Sequence, residues 1–169
     1  MSEKTPWYRQ QRGKRLTVAQ RYYERALANY ASSKFDLAVA DMDAALQYDP
    51  QNAEYYAARG LMLLEDGSAE DAEADLAEAI KRDKMQWLVH YARGLRAFRE
   101  GNPDQAIDQF SRAQVVAPDR PEIYFHRAVA FFQAGNADEA QADMDYAKEL
   151  FDTKDKRGKL ATRWLTKFK

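Results

Sequence analysis

Arg25, Arg59, Arg93 and Arg127 stand 34 residues apart, and an aspartate follows three of them at an offset of 16: Asp41, Asp75 and Asp143. The third arginine meets Gln109 at that offset, beside Asp108. A guanidinium fork matches a carboxylate with two parallel hydrogen bonds, so the spacing has two chemical readings. Open arginines would form a ladder for an anionic ligand. Arginines on one helix and acids on an antiparallel partner would instead close on each other. The fixed offset favours that repeated internal pair.

Little else in the chain has the composition of a reactive site. Zero cysteines remove disulfides, thiolate nucleophiles and thiolate zinc sites together. His90 falls in a slot that holds tyrosine at three other places, which suits packing, while His126 lies one residue beyond Phe125 and could touch a ligand. No H-E-x-x-H spacing, G-x-S-x-G elbow or glycine-rich phosphate loop occurs. Acid pairs such as Asp41/Asp43, Asp71/Asp75 and Asp143/Asp145 recur with the period, as solvated faces or arginine partners do. No catalytic residue, no metal ligand and no cofactor is expected.

The elements that position the arginines follow from the same period. Three residues before each arginine is a ring, Tyr22, Tyr56, His90 or Tyr124, and one residue after it a small residue, Ala26, Gly60, Gly94 or Ala128. Alanines recur at Ala38, Ala72, Ala106 and Ala140, then at Ala45, Ala79, Ala113 and Ala147. A period in this range marks stacked helical hairpins, each burying its apolar face only against its neighbours. Thr17 and Gln20 make a capping-box pattern that starts the first helix, which runs to about Ala31. Ser33 with Asp36 starts its partner, which runs to about Tyr48. Asn52, Ser68, Asn102 and Asn136 are expected N-caps. Pro103 and Pro121 suit first-turn positions, and Gly67, Gly101 and Gly135 suit the left-handed residues that end helices. Eight helices in four hairpins result, over about residues 19–52, 53–86, 87–120 and 121–152. A basic arm, 1–16, precedes them. Residues 153–169 carry Leu160, Trp164, Leu165 and Phe168 on one face and read as a ninth helix capping the last hairpin, with docking to a partner or an anionic membrane as the sharper alternative.

With these residues in place, the chain resembles the tetratricopeptide repeat family over about residues 19–152. Tyr22, Ala26, Ala38, Ala45 and Pro50 match that family's aromatic, small, alanine, alanine and proline offsets, and Tyr56, Gly60, Ala72 and Ala79 match the first four again. His90 in the aromatic slot, Lys84 and Asp152 in place of proline, and the missing glycine after Ser32-Ser33 depart from it, as do the arginines, where a large apolar residue is frequent. The resemblance implies an all-α, right-handed α-solenoid whose first helices line a concave, protein-binding face. On that face it places Tyr23 and Tyr30, then Leu61 and Leu64 with Glu65, then Tyr91, Leu95, Phe98 and Arg99, then Phe125, Val129 and Phe132. Family members that clamp acidic chaperone tails carry Lys, Asn and Arg there; only Arg99 remains here, so an acidic-tail clamp is not expected. The implied role is a non-enzymatic adaptor holding an apolar helix or extended peptide of another protein, best placed in the ring-rich carboxyl half, with packing of the same rings against adjacent helices as the alternative.

Charge divides the chain. Residues 1–18 carry five Lys/Arg against one Glu, residues 148–169 eight against three acids, and the stretch between them is 10 charges negative. In the arm, Trp7, Tyr8, Arg9, Arg12, Lys14 and Arg15 suit a flexible tail, docking on an acidic surface of this chain or a neighbour, or stacking on unpaired bases. The acidic body behind the arm argues against nucleic acid. No apolar run spans a membrane and no signal-peptide core opens the sequence, so a cytoplasmic location is expected. Two rivals to the adaptor stand beside it: a chaperone-like holder of hydrophobic segments, which small repeat chaperones of secretion systems resemble in size, and a ribonucleoprotein accessory acting through the basic ends. Self-association through the groove or the ends fits any of the three.

Overall fold

A computed structural model describes residues 16–151 of the 169. The arm and the expected ninth helix lie outside the described residues. Within them are eight helices and no strand: α1 (Val18–Ala31), α2 (Phe35–Tyr48), α3 (Ala53–Asp66), α4 (Ala69–Arg82), α5 (Trp87–Arg99), α6 (Pro103–Val116), α7 (Pro121–Gln133) and α8 (Ala137–Leu150). The fold is an all-α solenoid of helical hairpins. Among the described residues no helix is long and apolar enough to cross a membrane.

The chain divides between Val89 and His90 into two compact units. In the first, α1 packs on α2, α3 on α4, and α2 on α3. Its centre is built from Ala26, Met42, Ala45, Ala58, Met62, Leu76 and Ala79, all fully buried or nearly so. In the second, α7 packs on both α6 and α8, around Tyr124, Phe125, Ala128, Met144, Ala147 and Phe151.

The periodic small residues mark the helix crossings. A Cβ added at Gly60 would lie 2.8 Å from Leu76 Cδ2, and one at Gly94 only 2.6 Å from Phe110 Cε1. The residue 16 positions later changes with the small one: Gly60 with Leu76 and Gly94 with Phe110, but Ala26 with Met42 and Ala128 with Met144. All four large partners are buried. Where the first helix keeps a methyl, the second supplies a flexible methionine; where it gives the methyl up, a bulkier branched or aromatic group fills the space.

Each hairpin turns through one left-handed residue. Gly67, Gly101 and Gly135 have φ of 93°, 78° and 86°, and the residue at the same register in the first hairpin is Ser33, at 56°. Ser33 therefore holds the turn and does not cap α2, whose N-cap is Lys34 without a side-chain bond. The next amide reaches five residues back in every hairpin, from Lys34 to Asn29 O, Ser68 to Leu63 O, Asn102 to Ala97 O and Asn136 to Phe131 O, each at 2.9 Å.

This turn corrects the expected caps. Thr17 and Asn52 accept from the following amides in extended geometry, with ψ of 167° and 108°. Ser68, Asn102 and Asn136 occupy N-cap positions without a side-chain bond, since the backward turn holds their ψ near 67–75°. Ser33→Gly should remove the left-handed penalty of a β-carbon, less the entropy glycine loses. A gain of about 0.5–1 kcal/mol in urea unfolding is expected, and no gain would mean that the serine is unstrained.

Candidate functional site

Three of the arginines are filled by carboxylates. Arg59 donates from Nε to Asp75 Oδ2 at 2.6 Å and from Nη2 to Oδ1 at 2.8 Å. Arg127 holds Asp143 through the same two atoms at the same distances. Arg25 donates from Nε to Asp41 Oδ2 at 2.8 Å and closes the fork through Nη2, with Asn29 Nδ2 donating to the same carboxylate at 2.9 Å. The Asp75 hydrogen bonds raise the Arg59 guanidinium further above its ordinary value, against burial. Arg93 is half-buried, and the Gln109 amide opposite it is engaged by His90 Nδ1 at 3.2 Å and by Asp108 at 3.2 Å. Forks occupied in this way hold helices; they do not hold a ligand anion.

Two further ties have no counterpart in the sequence reading. Tyr56 donates its hydroxyl to Pro50 O at 3.2 Å, and Tyr124 to Pro118 O at 2.8 Å, clasping the turn between hairpins. The signal was present, as a proline six residues before the aromatic slot. Arg82 lies over the Tyr56 ring, its guanidinium carbon 4.5 Å from the centroid, and pairs with Glu78.

The face implied for binding is described unit by unit. In the first, Leu61 and Leu64 are buried, and Tyr23 and Tyr30 half-buried. The Tyr23 ring lies 4.9 Å from that of Tyr55, and its hydroxyl donates to Glu54 Oε1 at 2.8 Å; Tyr30 packs on Phe35 at 5.7 Å. Burial, with Asp49 and Glu54 adding, pushes the Tyr55 phenol up to about 12.

The second unit differs. Tyr91 and Phe125 are only 8% and 7% exposed, because both rings close on His126, at 5.5 Å and 5.1 Å between centroids. Phe110 lies beneath Tyr91 at 5.8 Å, and Phe151 lies against Phe125 at 6.4 Å. His126 Nδ1 is 2.9 Å from Glu122 O and 3.1 Å from the Tyr91 hydroxyl, within hydrogen-bonding distance of both. Its polar edge is thus turned inward. Leu95 is buried and Val129 half-buried. On the last turn of each first helix of this unit, Arg99 is exposed on α5 and Phe132 40% exposed on α7, while Phe98 is half-buried. The sequence pattern ranked Tyr91 and Phe125 beside these two rings; burial separates them. Among the described residues no cluster of His, Asp or Glu could hold a metal.

A family model described as tetratricopeptide repeat matches residues 23–85 and again 91–154. Among solved structures, Pseudomonas aeruginosa PilF aligns at 16% identity and a TM-score of 0.65, over 78% of this chain and 60% of that one. The Arabidopsis OM64 TPR domain aligns at 23% identity and 0.55, over 66% of this chain and 93% of that one. A MamA MSR-1 C2 structure aligns at 19% and 0.53, over 79% and 77%. At these identities the likeness is one of fold. The chain spans 60% of the length of the PilF chain. No curated protein matches the sequence.

Proposed function

The chain belongs to the tetratricopeptide repeat family, and on that premise we propose that it is a non-enzymatic adaptor holding a peptide or helix of another protein on its first-helix face. Repeats of this family mediate protein–protein interaction. The observation that carries the finer reading is the exposure of Phe132 and Arg99, with Phe98 half-buried, where the neighbouring rings Tyr91 and Phe125 are buried. Open aromatic groups on a rigid, packed floor lose little entropy on binding, and together with arginine they supply most interface hot spots. An apolar segment would cover the two phenyl rings, with a carboxylate or carbonyl of the partner on Arg99. A cytoplasmic location belongs to the same proposal.

The test separates open rings from buried ones. Phe98→Ala/Phe132→Ala should keep wild-type helicity and stability, yet weaken an isolated partner by about 30-fold or more, the scale of one hot spot. Tyr91→Ala/Phe125→Ala should unfold the second unit before it informs on binding. A partner recovered from host lysate equally by wild type and by the Phe98/Phe132 variant would remove this face from consideration.

A further inference from the structure

Within each unit, one arginine atom ties the second hairpin to the first. Arg59 Nη1 donates to Asp43 Oδ1 at 2.7 Å. Arg127 Nη1 donates to Ser111 Oγ at 3.1 Å, and also to Gln114. Asp43 and Ser111 each lie 16 residues back, on the preceding hairpin. Arg25 stands at the same register on α1 and spends Nε and Nη2 on Asp41 as the others spend theirs. Its Nη1 and the Tyr22 hydroxyl reach no partner among the described residues, and its side chain is 63% exposed. The Tyr22 ring beneath it stacks on exposed Tyr48 at 5.9 Å, and Val18 is exposed beside α1's start. This is half of the tie that joins the later hairpins.

The other half stands on α8. Asp145 lies one repeat after Ser111 and three after Asp43. It is exposed, and it takes part in no hydrogen bond or ion pair among the described residues. Exposed Tyr146 is its neighbour. Lys148 falls at the register of Gln114 and carries the same sign of charge as Arg25, with Glu149 adjoining it.

We propose that the Tyr22–Arg25 face of one copy docks on the Asp145 face of a second copy, placing Arg25 Nη1 on Asp145 as Arg59 Nη1 is placed on Asp43. The two surfaces differ, so the contact is heterologous and continues beyond a dimer. Exposed apolar groups on either face are few, which keeps the association weak. The stretches 1–18 and 148–169 carry net charges of +4 and +5, and their mutual repulsion, which would oppose association at low salt, is screened at physiological ionic strength.

Sedimentation velocity of the full chain in about 0.15 M salt, from about 10 µM to about 1 mM, tests this. Wild type should gain mass steadily with concentration. Asp145→Arg sets two guanidinium groups face to face and should lower the association constant at least about tenfold. Asp119→Arg, the same charge change in an exposed turn, should leave it near wild type. A monomer at every concentration overturns the proposal, as do equal losses in the two variants, which would reduce the effect to net charge. A loss in Phe98→Ala/Phe132→Ala matching that of Asp145→Arg would also overturn it, by moving the contact to the proposed binding face.

Discussion

Asp143→Ala is expected to lower the unfolding free energy by about 3 kcal/mol, the scale for stripping one partner from a buried pair. The Arg127 and Asp143 side chains are only 11% and 12% exposed. After the substitution the guanidinium cannot leave. Ser111 and Gln114 still hold Nη1, and the Tyr124 and Phe131 rings flank the group at 5.5 Å and 5.8 Å. A cation would remain half-desolvated, with two donors emptied at once. Removing both charges should cost far less, so Arg127→Met/Asp143→Leu should recover most of the loss. The arginines should also rank by exposure: Arg25→Met least, Arg59→Met next and Arg127→Met most. Urea unfolding followed by circular dichroism reads each value. Equal small losses at the three positions would reduce the forks to surface ion pairs.

Gly94→Ala should destabilise by about 2 kcal/mol, although alanine is the better helix former by about 1 kcal/mol. The added methyl would sit 2.6 Å, 2.7 Å and 3.0 Å from three atoms of the Phe110 ring, which is buried against Tyr91 and His126. A flat ring that is 1% exposed and already packed on two aromatic neighbours has little room to step aside. Gly60→Ala meets the branched end of Leu76 at 2.8 Å, which a rotamer change can partly relieve, and should cost less. The first and last hairpins contain the remedy, an alanine opposite a methionine. Gly94→Ala/Phe110→Met should therefore be more stable than the sum of its single changes predicts, with a coupling of at least about 1 kcal/mol. Strict additivity would mean that the two positions do not share the crossing.

The 34-residue period made the helices and their pairing legible, because every hairpin repeats one solution to the same packing problem. Finer features escaped wherever a repeat position changes its job. Ser33 reads as a cap on composition, but its register with three glycines assigns it the left-handed turn. The same turn then withholds the side-chain bonds of Ser68, Asn102 and Asn136, which residue type alone would grant. Tyr91 and Phe132 are equivalent in a list of groove aromatics; only the ring of His126 at 5.5 Å shows why one of them is closed. The offset of 16 between arginine and aspartate is visible in one dimension. The backward reach of Nη1 to Asp43 or Ser111 is not, because it joins different hairpins through a serine in one case and an acid in the other.

Amide hydrogen exchange of the full chain, with and without its isolated partner, tests the proposed binding face most directly. The last turns of α5 and α7 should open readily in the free protein, as helix ends do, and slow on binding at residues 95–99 and 129–133. Protection confined to α2, α6 or α8, with those two turns unchanged, would contradict the account and place the partner on the other helices of the hairpins.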